Sequence, residues 1–70
     1  MYQIEGRQGV KVSELKRLVK KHGCRFVKHD KKHEKWANAK TGQTTEIPRH
    51  DAKEIGKGLA EQILKDLGLK

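Results

Sequence analysis

Between Gly23 and Trp36 the chain reads GCRFVKHDKKHEKW, and this stretch fixes what the remainder can become. Its two ends read as short strands, Cys24 to Lys28 and His33 to Asn38. Phe26 and Val27 supply β-propensity to the first, and Trp36 anchors the second. Asp30, Lys31 and Lys32 form a polar turn between them. The crossing from Lys28 to Lys35 is basic and holds His29 and His33, two of the four histidines. A turn this polar has no core to fill, so His33 among lysines points to proton chemistry or polyanion binding. The flanking segments read as support for this piece.

Seventy residues allow one domain. A chain this short buries only about 60% of its unfolded surface, so any active site must be shallow. Lys and Arg number 17 against 9 Asp and Glu, a net charge of +8. That balance favours a polyanionic partner: RNA, DNA, an anionic membrane or an acidic protein. No apolar run approaches the roughly 20 residues of a membrane span. The N-terminus shows no apolar signal region, and both features point to the cytoplasm. Cys24 is the single cysteine, so it reads as a small core hydrophobe and no internal disulfide forms.

Met1 to Gln8 has no periodicity, and Ile4-Glu5-Gly6-Arg7 resembles the recognition sequence of a processing protease. Residues 1–9 therefore read as a flexible tail, either vector-derived or a natural arm, and 10–70 as the folded domain. Val12 to His22 reads as the first helix, with Ser13 as N-cap, Glu14 in the first turn, and Leu15, Leu18 and Val19 as an apolar stripe. Lys20, Lys21 and His22 suit the C-terminal end of the helix dipole, and Gly23 suits the left-handed residue that ends a helix. Trp36 pointing inward turns His33 and Lys35 outward. Lys40-Thr41-Gly42-Gln43 is a hairpin turn, Thr44 to Ile47 a third strand, and Pro48 its end. Arg49 to Gly56 reads as a loop with Ile55 dipping inward. The last helix starts at Lys57 or Gly58 and runs to Leu67, with Leu59, Ile63 and Leu67 as its stripe, flanked by Ala60 and Leu64. Gly68 then ends it, with Leu69 folding back. The order α-β-β-β-α predicts a three-stranded antiparallel sheet with both helices on one face.

Imidazole exchanges a proton near neutrality, and lysines beside it attract phosphate. RNA carries its own nucleophile, the 2′-hydroxyl, so one base held near that hydroxyl among cations is sufficient for cleavage without a metal or a deep pocket. His33 is the candidate catalytic residue, with Lys28, Lys31, Lys32 and Lys35 as candidate RNA-binding residues. His22, His29 and His50 read as surface. The spacing of His29, His33 and His50 is irregular for a zinc site. Lys16, Arg17, Lys20 and Lys21 read as the solvated face of the first helix. Phe26 and Trp36 read as partly core, which leaves little aromatic surface for stacking bases. The helix entered through Gly56-Lys57-Gly58 offers free N–H groups to a phosphate.

From about Val12 to Leu69 the chain resembles the HicA (YcfA-like) toxins, the small mRNA interferases of bacterial and archaeal toxin–antitoxin pairs. Ser13-Glu14-Leu15, the helix end at Gly23, and Phe26-Val27-Lys28 fit the family's opening. The family's Gly-Ser-His-His segment leading into an aromatic residue is matched by Lys31-Lys32-His33-Glu34-Lys35-Trp36. Thr45-Glu46-Ile47-Pro48 resembles its Val-Pro strand end, and Lys57-Gly58-Leu59, Ile63-Leu64-Lys65 and Gly68-Leu69 its last helix. Lys31-Lys32 replaces Gly-Ser, and Glu34 replaces the second histidine. The resemblance implies a double-stranded-RNA-binding-like α+β fold and cleavage of mRNA by one histidine, which falls on His33, with no cofactor or metal. It also implies a HicB-type antitoxin partner that covers that histidine.

Two other readings stay open at this stage. A non-catalytic RNA-binding module of the same fold is one, although Gly56-Lys57-Gly58-Leu59-Ala60 lacks the Lys-Lys-x-Ala-Lys run usual in such domains. A basic protein–protein adaptor is the other; it accounts for the charge but not for the placement of His33.

Overall fold

A computed structural model describes residues 9–70 of the chain. The elements are β1 (Gly9–Lys11), α1 (Val12–Lys21), β2 (Cys24–Asp30), β3 (His33–Asn38), β4 (Thr44–Pro48), β5 (Glu54–Gly56) and α2 (Lys57–Asp66). Strands β2, β3 and β4 form an antiparallel sheet in that order, and β1 pairs with β5 in a separate two-stranded ribbon. The α-β-β-β-α order is present, with the short ribbon added to it.

The register explains which face is covered. Trp36 lies opposite Phe26 and Thr45, and Glu34 lies opposite His29 and Ile47. Opposed residues share a face, so Cys24, Trp36, Asn38, Thr45 and Ile47 form the inner side of the sheet. All five are buried, and the apolar ones join Leu15, Leu18 and Val19 of α1 and Ala60, Ile63 and Leu64 of α2 in one core. Both helices therefore cover the face on which Trp36 lies. Two polar links fasten α2 there: Asn38 Nδ2 donates to the Leu67 carbonyl at 2.7 Å, and Thr45 Oγ1 donates to Asp66 Oδ2 at 3.2 Å. Cys24 is a free, buried thiol whose pKa burial pushes up, as befits a core residue.

The ends of α1 differ from expectation at one side only. Gly23 follows the helix with φ +91°, a conformation in which a Cβ would be strained, and its N–H bonds the Lys20 carbonyl. At the start, Ser13 is not the N-cap. The cap is Lys11, and no side chain serves it. The N–H groups of Val12 and Ser13 instead donate to the carbonyls of Lys53 and Asp51, at 2.9 and 3.0 Å. A neighbouring loop satisfies what a capping hydroxyl would otherwise satisfy.

The stretch from Arg49 to Gly56 is not wholly a loop. Its last three residues are β5, and Ile55 pairs with Val10 from β1. Both are buried, as the inward turn of Ile55 predicts. The boundary expected between a tail at 1–9 and a domain at 10–70 falls within β1, which starts at Gly9; the remainder of that tail lies outside the described residues. In α2, Leu59 leaves the expected stripe and is 49% exposed, while Ala60, Ile63, Leu64 and Leu67 are buried. The apolar arc of α2 is wider than one helix face, and the side bearing Ala60 and Leu64 meets the core. Gly68, at φ +74°, ends that helix, and the Leu69 N–H reaches back to the Leu64 carbonyl at 2.8 Å.

Candidate functional site

The turn between β2 and β3 is two residues long, Lys31 and Lys32, and neither has positive φ. Arg49 secures it from outside. Its backbone N–H donates to the Lys32 carbonyl and its Nη1 to the Lys31 carbonyl, both at 3.1 Å. Sequence reasoning missed this role, because an arginine after a strand-ending proline carries no periodic signal.

His33 opens β3 beside that turn, opposite Asp30 of β2 and Pro48 of β4. It is exposed, and the described residues offer it no hydrogen bond or ion pair. Lys28 lies directly opposite Lys35 on the same open face, two pairs further in. Lys31 and Lys32 adjoin His33 through the turn. The expected set of His33 with Lys28, Lys31, Lys32 and Lys35 is thus gathered at one end of the open face. Two carboxylates share the area: a hollow of about 360 Å³ is lined by Lys28, Asp30, Lys35, Thr44, Thr45 and Glu46.

Other histidines sit apart. His22 is the C-cap residue of α1, and His50 is an exposed residue after β4. His29 is turned to the inner side by a β-bulge. The register slips between Phe26 and Lys28, leaving Val27 as the extra residue. Lys28 then faces out with Lys35, while His29 faces the same way as Phe26. No group of three or more His, Cys, Asp or Glu among the described residues could hold a metal ion.

Behind His33, on the covered side, Glu34 gathers a polar cluster. Trp36 Nε1 donates to Glu34 Oε1 at 3.0 Å, Lys16 Nζ lies 3.0 Å from the same oxygen, and His29 Nε2 lies 3.3 Å from Oε2. Lys16 also donates to Asp51 Oδ1 at 2.6 Å and to the Arg49 carbonyl at 3.3 Å. Lys16 is therefore no part of the solvated face of α1. Burial opposes ionisation of Glu34, but the hydrogen bonds from Lys16 and Trp36, the Lys16 charge and His29 together hold its pKa below the usual carboxylate value. Burial likewise opposes the charge on Lys16, and hydrogen bonds to Asp51 and Glu34 raise its pKa in spite of it. The cluster ties α1, β3 and the loop after β4 together behind the turn. Its sequence signal is faint: Ser13, Lys16 and Lys20 follow one edge of the apolar stripe.

A basic hairpin with an exposed histidine beside its turn, backed by two helices, defines a small α+β domain. Residues 12–69 match the family model described as the HicA toxin of bacterial toxin–antitoxin systems, and the chain belongs to that family. It is 41% identical over 61 residues to the probable mRNA interferase HicA of Pseudomonas fluorescens (strain Pf0-1), spanning 87% of this chain and 98% of that relative. No solved structure matches the chain. No helix among the described residues is long and apolar enough to cross a membrane.

Proposed function

We propose that this chain is the toxin of a toxin–antitoxin pair and acts as an endoribonuclease on mRNA, with residues 10–70 as the acting unit. The likeness to a probable mRNA interferase over nearly the whole length of that relative carries the reaction class. The position of His33 between Lys31-Lys32 and Lys35, exposed and without a side-chain partner among the described residues, supports its assignment.

In this mechanism the RNA 2′-oxygen attacks the adjacent phosphorus, and the bond to the 5′-oxygen of the next nucleotide breaks. His33 takes the proton from the 2′-hydroxyl or delivers one to the departing 5′-oxygen. Lys28, Lys31, Lys32 and Lys35 hold the cut phosphate and its neighbours along the strand and offset the growing negative charge. The products are a 2′,3′-cyclic phosphate and a 5′-hydroxyl; the proton that His33 does not move is exchanged with solvent, water is not consumed, and no metal takes part. The protein partner in this reading is a HicB-type antitoxin that covers His33, and the compartment is the cytoplasm, where mRNA is translated.

Incubation of purified protein with RNA, with and without a chelator, tests the reading. Cleavage that persists in chelator and leaves cyclic phosphate ends is the expected result. RNA that is bound and never cut supports the binding-module alternative instead, and chelator-sensitive cleavage contradicts the metal-free step.

A further inference from the structure

Three large apolar side chains remain open on the described surface, and two of them, Phe26 and Val27, are neighbours on β2. Val27 is exposed because it is the extra residue of the bulge. Phe26 is different: it is 44% exposed yet held in place. The His29 ring stands at 5.0 Å from it and 72° to its plane, and the Trp36 indole at 6.2 Å and 75°. Both flanking rings contact one carboxylate, Glu34, which is also paired with Lys16. In a regular strand, residues 26 and 29 would point to opposite faces. The bulge at Val27 is what brings their rings together. An aromatic wall fixed in this way loses little freedom when something flat is laid against it.

The surroundings select what that flat object is. Arg17 and Lys20 of α1, with Lys16 and Trp36, line a cleft of about 230 Å³ beside this wall. Asp51 also lines it, but its carboxylate is engaged by Lys16. A ligand with planar apolar faces joined by anionic links fits a phenyl ring near the exposed Arg17 and Lys20, and single-stranded nucleic acid has that form.

We propose that Phe26, braced by His29 and Trp36, stacks a base of the substrate RNA, with Arg17 and Lys20 holding an adjoining phosphate. This rests on the RNA reading above and adds a second subsite to it. Phe26 and His33 lie on opposite faces of the sheet, and β2 is its edge strand among the described residues. Along β3 the offset from Trp36 to His33 is three residues, roughly 10 Å at about 3.3 Å per residue. The RNA strand therefore passes round the edge of β2, with the cut phosphate on one side and a stacked base on the other. Stacking of this kind tolerates any base, so the subsite adds affinity and register with little sequence choice.

The test uses the full chain and two oligomers of equal length that cannot be cut: a 2′-O-methyl RNA, and a 2′-O-methyl strand with abasic positions. Phe26→Leu keeps apolar bulk and removes the flat ring. It is expected to weaken binding of the base-bearing strand by about ten- to a hundredfold, to leave the abasic strand within about twofold, and to be restored by Phe26→Tyr. Arg17→Gln gives a reading independent of the ring and should weaken both strands. Equal binding of both strands by parent and Phe26→Leu, with Arg17→Gln also silent, overturns the subsite while leaving cleavage at His33 intact. A parent that binds neither strand overturns the subsite and the RNA reading together. A Phe26→Leu protein with unchanged RNA affinity but an altered oligomeric state assigns the patch to protein contact and overturns it as well.

Discussion

Glu34 stands where the HicA signature has its second histidine, and its carboxylate, with a side chain only 12% exposed, meets Lys16, Trp36 and His29. Its pKa is lowered in the fold despite burial, so its contribution to stability is present above the unfolded carboxylate pKa. That contribution fades as pH falls through the folded value. Lys16 has the opposite sign: with its pKa raised, it stabilises the fold below the ordinary lysine value and loses that effect only in strong alkali. Glu34→Gln keeps an oxygen for Trp36 and Lys16 but removes the charge. The variant should be less stable than the parent at pH 7, and the gap should narrow as pH falls below about 4.3. Urea unfolding of both proteins at pH 7 and pH 3 measures this; a gap of constant size contradicts the charge argument.

The hairpin of β2 and β3 depends on Arg49, whose two bonds to the Lys31 and Lys32 carbonyls fix a turn that lacks the family's glycine. Arg49→Ala should leave melting little changed but loosen the base of His33. Misplacement of a reacting group by about 1 Å can cost about a hundredfold in rate. Cleavage slowed at least tenfold, with a circular dichroism spectrum like the parent's, is the expected outcome; parental cleavage removes Arg49 from the account. Much of this architecture was legible beforehand. The stripe of Leu15, Leu18 and Val19, the glycine at 23, and the alternation around Trp36 gave α1, its end, and the outward turn of His33. What escaped has physical reasons. Strands β1 and β5 are three residues each, too short for a period to show. The bulge at Val27 left no mark in a strand whose pattern was already mixed, so the pairing of the exposed His29 with the half-exposed Phe26 did not show. In α2, two overlapping apolar rows compete, and only packing decides that Leu59 stays outside.

Taken together, the described residues form a slab of 29 × 27 × 16 Å, too thin for a deep cleft, so substrate must be met on the surface by charge. Four phosphates held by Lys28, Lys31, Lys32 and Lys35 give a log–log dependence of RNA affinity on salt with slope about −3, at about −0.7 per phosphate on a single strand. Engagement of one further phosphate by Arg17 and Lys20 steepens it to about −3.5. A flat response removes RNA as the direct partner. In the proposed mechanism proton transfer falls to one imidazole, a contribution typically of about 10²–10⁴ in rate. His33 is exposed and unpaired among the described residues, so His33→Ala opens no core cavity and keeps every lysine. The decisive assay follows RNA cleavage by the parent, His33→Ala, His29→Ala and His50→Ala, with a melting curve for each. The account predicts a folded His33→Ala protein that binds RNA and no longer cuts it, with far smaller losses in the other two. A folded His33→Ala protein cutting at the parental rate would contradict it.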